Sequence, residues 1–170
     1  MATEEVRRTY LEMTAPGDLR PARSQEPGLS LQRVEGCPPS LYRFLYSEVG
    51  RAYRWVDRLD WTDAQIDAHL GDPAVSLWLL TAPGGPAGYF ELRQDRDAVE
   101  IAYFGLLPEF IGRGLGKHML TEAVERAWGL GARRVWLHTC SLDGPAALPN
   151  YLARGFRPFR EETYLVTAPG

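Results

Sequence analysis

The sequence contains little cysteine, few histidines and no long apolar segment, and each shortage argues against a class of site or location. Its two cysteines, Cys37 and Cys140, are too few for a disulfide framework and too far apart for a zinc site, so we expect reduced thiols. Its three histidines show no HExxH or other metal-binding spacing, so the sequence implies no metal. No apolar run approaches the roughly 18 residues of a membrane span, and the N-terminus lacks the apolar segment of a signal peptide. We therefore expect a cytoplasmic protein without a membrane partner.

An excess of positive charge is also missing. The chain carries 19 Lys and Arg residues against 22 Asp and Glu residues, a net charge of -3. This balance argues against nucleic acid as a partner, because such partners are held mainly by neutralising phosphates. At 170 residues and 45% hydrophobic content, the chain fits one globular domain over residues 1–170. Residues 1–35 are assigned to N-terminal strands and a long loop rich in proline and glycine.

Hydrophobic periodicity and turn residues predict a mixed α/β order without internal repeats. Strands are predicted at residues 6–13, 29–35, 75–81, 87–93, 99–107, 133–139 and 164–166. Helices are predicted at residues 39–50, at 63–70, directly after the glycines near residue 114, and at 145–154. Thr62 and Gln65 form a capping-box pair that marks the start of the second helix. The short turns between the third, fourth and fifth strands indicate an antiparallel meander.

Glycine is concentrated where the fifth strand leads into a helix, at Gly112, Gly114 and Gly116. A loop that opens a helix presents unpaired backbone N–H groups and the positive end of the helix dipole, which together suit a pyrophosphate. Arg113 and Lys117 add two cations where the dipole itself favours acidic residues, so an anionic ligand is indicated. The alternative is a tight turn whose glycines only let the helix pack close to the sheet.

Two familiar nucleotide-binding loops do not fit this stretch. A Rossmann fingerprint starting at Gly112 requires glycine at the position of Lys117. A P-loop requires glycine at the position of Ile111 and serine or threonine at the position of His118. Neither nucleotide class is therefore favoured.

Two stretches resemble motifs of the GNAT superfamily of acyl-CoA-dependent N-acetyltransferases. The stretch LLPEFIGRGLGKHML, residues 106–120, is similar to the family's pyrophosphate loop, with Gly114 and Gly116 matching the pattern. Ile111 stands where the family has Gln or Arg, so the backbone N–H groups carry more of the binding. The stretch AALPNYLARGF, residues 146–156, is similar to a late motif with Tyr-x-x-x-Gly-Phe.

The resemblance covers about half of the chain and implies both a fold and a co-substrate. It implies a central mixed, mostly antiparallel sheet with a splayed strand pair, flanked by helices, with an acyl-CoA-binding core at residues 75–160. In this family the pantetheine arm pairs with free backbone groups of the splayed strand. The implied acetyl-CoA contacts are Leu106, Leu107, Gly112, Arg113, Gly114, Leu115, Gly116, Lys117 and Asn150.

Glu100 is the candidate catalytic base. Transfer to an amine needs a neutral nitrogen, whereas an alkylamine with a pKa of about 10 is mostly protonated at neutral pH. In similar GNAT enzymes a glutamate on the strand before the loop accepts this proton. Strict alternation predicts that Glu100 and Phe104 share a face, where partial desolvation raises the pKa of the carboxyl. A solvated glutamate on an edge strand is the alternative.

Tyr151 is the candidate acid, since the resemblance places this tyrosine near the coenzyme sulfur. The alternative is a tyrosine that packs its helix against the sheet beside Phe156. A backbone N–H near Leu107 would polarise the thioester carbonyl. His138 and Cys140 end a predicted central strand, from which they could approach the site. The favoured interpretation is a packed histidine and a buried thiol without an essential role.

Residues 51–61 lie between the first two helices, in the region that lines the acceptor pocket of similar proteins. There the aromatic residues could hold an acceptor, and Asp57 or Asp60 would attract an ammonium group. In the alternative reading the charged residues face water and the aromatic residues close the core. These aromatic residues are Tyr53, Trp55 and Trp61.

The predicted function is direct acetyl transfer from acetyl-CoA to the primary amine of a small molecule or peptide, by a monomer or a homodimer. A non-catalytic acyl-CoA sensor is the alternative, because the same loop would serve it. An open channel that reaches Glu100 distinguishes the two, since a sensor has no need of one.

Overall fold

A computed structural model of the chain describes residues 2–167, so the ends of the predicted domain, residue 1 and residues 168–170, lie outside the described residues. The strands are β1 (Thr3–Met13), β2 (Ser30–Val34), β3 (Val75–Ala82), β4 (Gly85–Asp95), β5 (Ala98–Leu106), β6 (Arg134–Cys140) and β7 (Arg157–Thr167). The α-helices are α1 (Pro39–Gly50), α2 (Asp63–Leu70), α3 (Leu115–Gly129) and α4 (Ala147–Ala153).

The first two helices have the bounds that the sequence predicts. The capping box of α2 is present, with Gln65 N donating to Thr62 Oγ1 at 3.2 Å and Thr62 N donating to Gln65 Oε1 at 2.8 Å. The meander of β3, β4 and β5 is also confirmed. β7 is much longer than the predicted strand at residues 164–166. It pairs only with β1 and is largely exposed, so it lacks the apolar alternation by which buried strands are recognised.

One seven-stranded sheet contains all of these strands in the order β2-β3-β4-β5-β6-β1-β7. Neighbouring strands are antiparallel except β5 and β6. This parallel pair is short, since its register ends where Glu100 lies opposite Trp136. Beyond that point β6 pairs with β1 alone, and β5 and β6 diverge. The mixed, mostly antiparallel sheet and its splayed strand pair are thus confirmed.

Helices cover the two faces of the sheet unequally. α3 packs against one face, and its buried side is Leu115, Met119, Leu120, Thr121, Ala123, Val124 and Ala127. The opposite face carries α1 and α2, which contact β3, β4 and β5. Over the outer strands, arginines stack on aromatic rings instead, with Arg134 at 4.8 Å from Phe159 and Arg160 at 5.1 Å from Tyr10. Long arginine side chains can cover apolar surface while their charged ends stay in water.

A bulge interrupts β5 at Ala102. Tyr103 pairs with Glu91, whereas Ile101 pairs with the next residue of β4, Leu92, so Ala102 is the extra residue of the bulge. Such an insertion shifts the alternation of side chains by one position. The side chains before and after Ala102 therefore do not follow the strict two-residue pattern.

Within residues 2–167, no helix has both the length and the apolar composition that crossing a bilayer requires. The same range contains no cluster of three or more His, Cys, Asp or Glu side chains arranged to hold a metal ion. Cys37 and Cys140 are free thiols.

Candidate active site

The glycine-rich loop joins a short 3-10 turn, Pro108–Phe110, to the start of α3. Gly112 has φ +87° and Gly114 has φ +76°, backbone conformations that favour glycine. Gly114 is the N-cap of α3 and provides no side chain to cap the helix. Among the described residues, no loop or turn hydrogen bond uses the backbone N–H groups of residues 112–117. This cluster of unpaired donors at a helix N-terminus fits a pyrophosphate.

The two cations of the loop differ in availability. The Arg113 guanidinium is ion-paired with Glu26 and lies 5.1 Å from the centre of the Phe110 ring. Lys117 is exposed and has no ion-pair partner within residues 2–167. Lys117 is therefore the free cation of this loop, whereas the charge of Arg113 is already compensated.

The backbone groups of Leu106 and Leu107 also differ in whether they are free to bind a ligand. Leu107 N donates to Ala87 O at 2.8 Å, and Leu107 O accepts from Phe110 N at 3.0 Å. Alternate residues of an antiparallel strand direct their backbone groups to opposite neighbours. The backbone N–H and C=O of Leu106 are therefore directed toward the gap between β5 and β6. The expectation of a free N–H at Leu107 is wrong, since β4 occupies it. The free backbone groups belong to Leu106 and, two residues earlier, to Phe104.

The late motif meets the glycine loop. A Cβ atom added at Gly116 would lie 3.8 Å from Asn150 Nδ2 and 3.9 Å from Leu106 Cδ1. Asn150 Oδ1 accepts a hydrogen bond from Arg154 at 3.2 Å, which leaves the amide nitrogen facing the start of α3. The end of β5, the first turn of α3 and α4 thus surround one site.

Tyr151 occupies this site with its ring largely buried. The ring centre lies 6.2 Å from that of Phe104 and 6.2 Å from that of Phe156, as the packing alternative requires. Burial raises the pKa of the phenol, and the charge of Asp143 and the nearby Tyr53 raise it further. Tyr151 therefore remains protonated at neutral pH, so its hydroxyl can act as a donor while its ring packs.

Glu100 lies at the closed end of the split between β5 and β6. The bulge places it on the same face as Tyr103, so the prediction that it lies beside Phe104 is wrong. The edge-strand alternative is wrong as well, because β5 lies inside the sheet. The side chain is 16% exposed, and burial raises the pKa of its carboxyl against the partly opposing charge of Arg93. It is thus a partly desolvated carboxylate that remains accessible.

His138 is not the core histidine that the sequence suggested. Its side chain is 36% exposed, and its Nε2 lies 4.0 Å from Glu100 Oε2. It lies two residues beyond Trp136, the last partner of β5, and therefore on the same face as Glu100.

A buried ionic cluster lies under α1 and α2, and the sequence analysis missed it. Glu91 is 1% exposed and accepts hydrogen bonds from Arg58 Nη1 at 2.9 and 3.0 Å, from His69 Nε2 at 3.0 Å and from the Tyr42 hydroxyl. Burial alone would raise the pKa of Glu91, but the His69 hydrogen bond and the Arg58 charge outweigh it and lower the pKa. The available signal was a single acidic residue inside an otherwise apolar strand.

The loop over residues 51–61 closes the core, as one of the two readings predicted. The Trp55 ring packs edge-on against Tyr103 at 4.9 Å. Arg58 is the exception to the expectation that the loop's charges face water, because its guanidinium lies between the rings of Tyr103 (4.4 Å) and Trp61 (4.7 Å). The two acidic residues of the loop, Asp57 and Asp60, are exposed to solvent, as this reading predicted.

The comparison with family models decides the family. Residues 42–156 match the model of the acetyltransferase (GNAT) family, which is more than half of the chain. The chain belongs to the GNAT acetyltransferase family. No curated protein sequence matches this GNAT chain closely enough to count as a relative.

Solved structures share the GNAT fold at low sequence identity. A GCN5-related N-acetyltransferase from Kribbella flavida is 22% identical with a TM-score of 0.67, over 99% of this chain and 60% of that one. One from Sphaerobacter thermophilus is 18% identical with a TM-score of 0.72, over 96% and 51%. An IAA acetyltransferase from Bacillus cereus is 24% identical with a TM-score of 0.56, over 78% and 79%. The GNAT chain spans about half to two thirds of the length of six of the solved structures that it matches.

Proposed function

We propose that residues 1–170 act as one unit that transfers an acetyl group from acetyl-CoA directly to the primary amine of a small molecule or peptide. One observation carries the proposal. The split between β5 and β6 has Glu100 at its closed end, and β5 leads on into the unpaired N–H groups at the start of α3. A base and an anion site thus lie along one opening.

The donor half of the site would hold acetyl-CoA, which supplies an activated thioester when bound. The N–H groups of residues 112–117 and the ammonium of Lys117 would bind the pyrophosphate. The free backbone of Leu106 would pair with the pantetheine arm as an added strand does. The Asn150 amide is placed to donate a hydrogen bond to the same arm.

Glu100 would accept the proton of the ammonium, directly or through one water. Its raised pKa narrows the gap to the pKa of the amine and so eases this transfer. The nitrogen lone pair then forms the C–N bond. Tyr151, which keeps its proton at neutral pH, would donate to the sulfur as the C–S bond breaks. The second proton of the nitrogen would then restore the tyrosine, so that one proton remains on Glu100.

The surroundings of Glu100 favour an enzyme over a non-catalytic sensor. A sensor needs the loop of residues 112–117 but no route from solvent to the carboxylate. The side chain of Glu100 is 16% exposed, and the adjacent His138 is 36% exposed. The side chain of Glu100 is therefore partly exposed to solvent on the α1 face, and this supports catalysis.

Thermal unfolding with acetyl-CoA tests the donor half without knowledge of the acceptor. At a hundredfold excess over Kd, binding stabilises the folded state by about 2.7 kcal/mol. For a chain of this size the Tm would rise by about 5 to 10 °C. ATP and NADH serve as controls and should produce no comparable shift. A Tm that acetyl-CoA leaves unchanged would overturn the proposal.

Turnover with a panel of amines tests the catalytic half. Glu100→Gln is expected to lower kcat by about 10²- to 10⁴-fold and to remove the acidic limb of the pH profile, which lies above the usual glutamate pKa. Tyr151→Phe is expected to lower kcat by roughly tenfold, because one hydrogen bond to the leaving sulfur is lost. Glu161→Gln, on the exposed strand β7, is the control. Acetyl-CoA binding without any turnover would favour the sensor.

A further inference from the structure

His138 lies beside Glu100 and is the more exposed of the two side chains. The two side chains lie on one face of the sheet, Glu100 in the last pair of β5 and β6 and His138 two residues beyond that pair on β6. His138 Nε2 is 4.0 Å from Glu100 Oε2, a distance that a small side-chain rotation or one bridging water spans. His138 is 36% exposed whereas Glu100 is 16% exposed, so exposure increases from the carboxylate outward.

His138 is the basic side chain nearest to the Glu100 carboxylate among the described residues. Within residues 2–167, no arginine, lysine or other histidine comes within 4.0 Å of the Glu100 carboxylate. Glu91 and Arg58, which also influence Glu100 electrostatically, are bonded to each other in the buried cluster. A proton that leaves Glu100 toward an ionisable side chain therefore meets His138 first.

The proton balance of the proposed reaction requires such an exit. An ammonium that becomes an amide loses two protons, of which the departing thiolate takes one. One proton per turnover must therefore reach bulk water, and in the proposed mechanism it is first held by Glu100. The carboxylate cannot accept a second ammonium proton until the first has left. Because burial raises the pKa of Glu100, direct release to water is slowed.

We propose that His138 relays this proton from Glu100 to the solvent, an inference that rests on the proposed function. Glu100 O–H gives its proton to His138 Nε2, and the imidazolium passes a proton to water or buffer through its exposed edge. His138 acts through Glu100 and does not touch the acceptor, so it is a positioning and relay residue.

The groups around His138 keep its ring able to accept a proton. The Tyr10 ring on β1 lies 5.5 Å away. Burial lowers the pKa of His138 and Arg8 lowers it further, while Asp143 and Glu162 partly oppose them. The imidazole is therefore neutral at neutral pH, as a proton acceptor must be.

Two substitutions separate a relay from packing. His138→Gln removes the titrating group, and His138→Phe also keeps an aromatic ring against Tyr10. Both are expected to lower kcat by about tenfold, a smaller loss than the roughly 10²- to 10⁴-fold expected on removal of the base itself. Rising concentrations of imidazole buffer should restore kcat in both variants but leave the unsubstituted enzyme unchanged. The KM for acetyl-CoA should stay the same.

The outcomes separate this proposal from the proposed function. Full activity in His138→Phe, or loss of activity that imidazole does not restore, would overturn the relay. If Glu100→Gln turns over at the full rate, the assignment of Glu100 as the catalytic base is wrong. Turnover that depends on Glu100 and not on His138 would remove the relay alone and leave the acetyltransferase assignment standing.

Discussion

The proposed donor loop and the buried Glu91 cluster are built in different ways. The loop is one continuous stretch, residues 106–117, that offers backbone N–H groups and glycines. The cluster is built from side chains of distant elements, with Glu91 of β4 at its centre and partners from α1, α2 and the loop between them. A backbone site can therefore be recognised from residue spacing, whereas a side-chain cluster of this kind is assembled only by folding.

The two regions also differ in what they contribute to folding. The cluster holds a carboxylate that is 1% exposed and an arginine that is 13% exposed, a buried pair whose disruption leaves an uncompensated charge. The donor loop holds exposed or partly exposed glycines and one free ammonium, which contribute little to folding. Substitutions in the cluster should therefore reduce stability, and substitutions in the donor loop should reduce ligand affinity.

The largest expected effect follows from removing Glu91. Glu91→Ala leaves Arg58 without its counter-charge and should lower the free energy of unfolding by about 3–5 kcal/mol. Urea unfolding measures this change. Glu125→Ala is the matched control, because Glu125 pairs with Arg23 on the surface and such pairs contribute about 0–1 kcal/mol. Equal losses in the two variants would show that the buried cluster has no special role in folding.

The pH dependence of stability provides a second measure of the same cluster. The pKa of Glu91 is lower in the folded state than its usual value. Such a group contributes stability that is complete above the unfolded pKa, near about 4.3, and is lost as the pH falls through the folded pKa. Glu91→Gln should therefore flatten the fall of stability below about pH 4.3, where the carboxyl of the unfolded chain becomes protonated. An unchanged acid profile would contradict the lowered pKa.

The sequence predicts the local structure well and the side-chain faces less well. The α2 capping box and the glycine loop depend on neighbouring residues, and both are found where they were predicted. The bulge at Ala102 is different, because every residue around it is compatible with a regular strand and only the pairing with β4 reveals it. This single insertion moved Glu100 to the α1 face and beside His138.

Gly112 of the donor loop and Gly131, beyond the C-terminus of α3, provide a matched test. Gly112 and Gly131 both have φ +87°, and a Cβ atom at either would meet nothing within 4 Å. Alanine should thus cost about 1–2 kcal/mol of backbone strain at each position. Only Gly112→Ala should also raise the KM for acetyl-CoA, by roughly tenfold, because the strain shifts the N–H groups of the loop. Equal KM values in the two variants would mean that the loop is a packing turn.

The smallest effect concerns the two cations of the donor loop. Lys117→Gln removes the free ammonium and should weaken CoA binding by about two- to fivefold, the size of one charge at a helix terminus. Arg113→Gln should change CoA binding by less, because Glu26 already compensates the charge of Arg113. Glu26→Gln should strengthen CoA binding, because it frees the Arg113 guanidinium. Calorimetry measures the CoA affinity of all three variants at two salt concentrations. The differences in affinity from the unsubstituted protein should shrink as the salt concentration rises. Lys117 is the only lysine in the sequence, so CoA should also protect it from an amine-reactive reagent. If Arg113→Gln weakens binding more than Lys117→Gln does, ligand binding must break the ion pair between Arg113 and Glu26. Side chains as well as backbone N–H groups would then bind CoA in the donor loop.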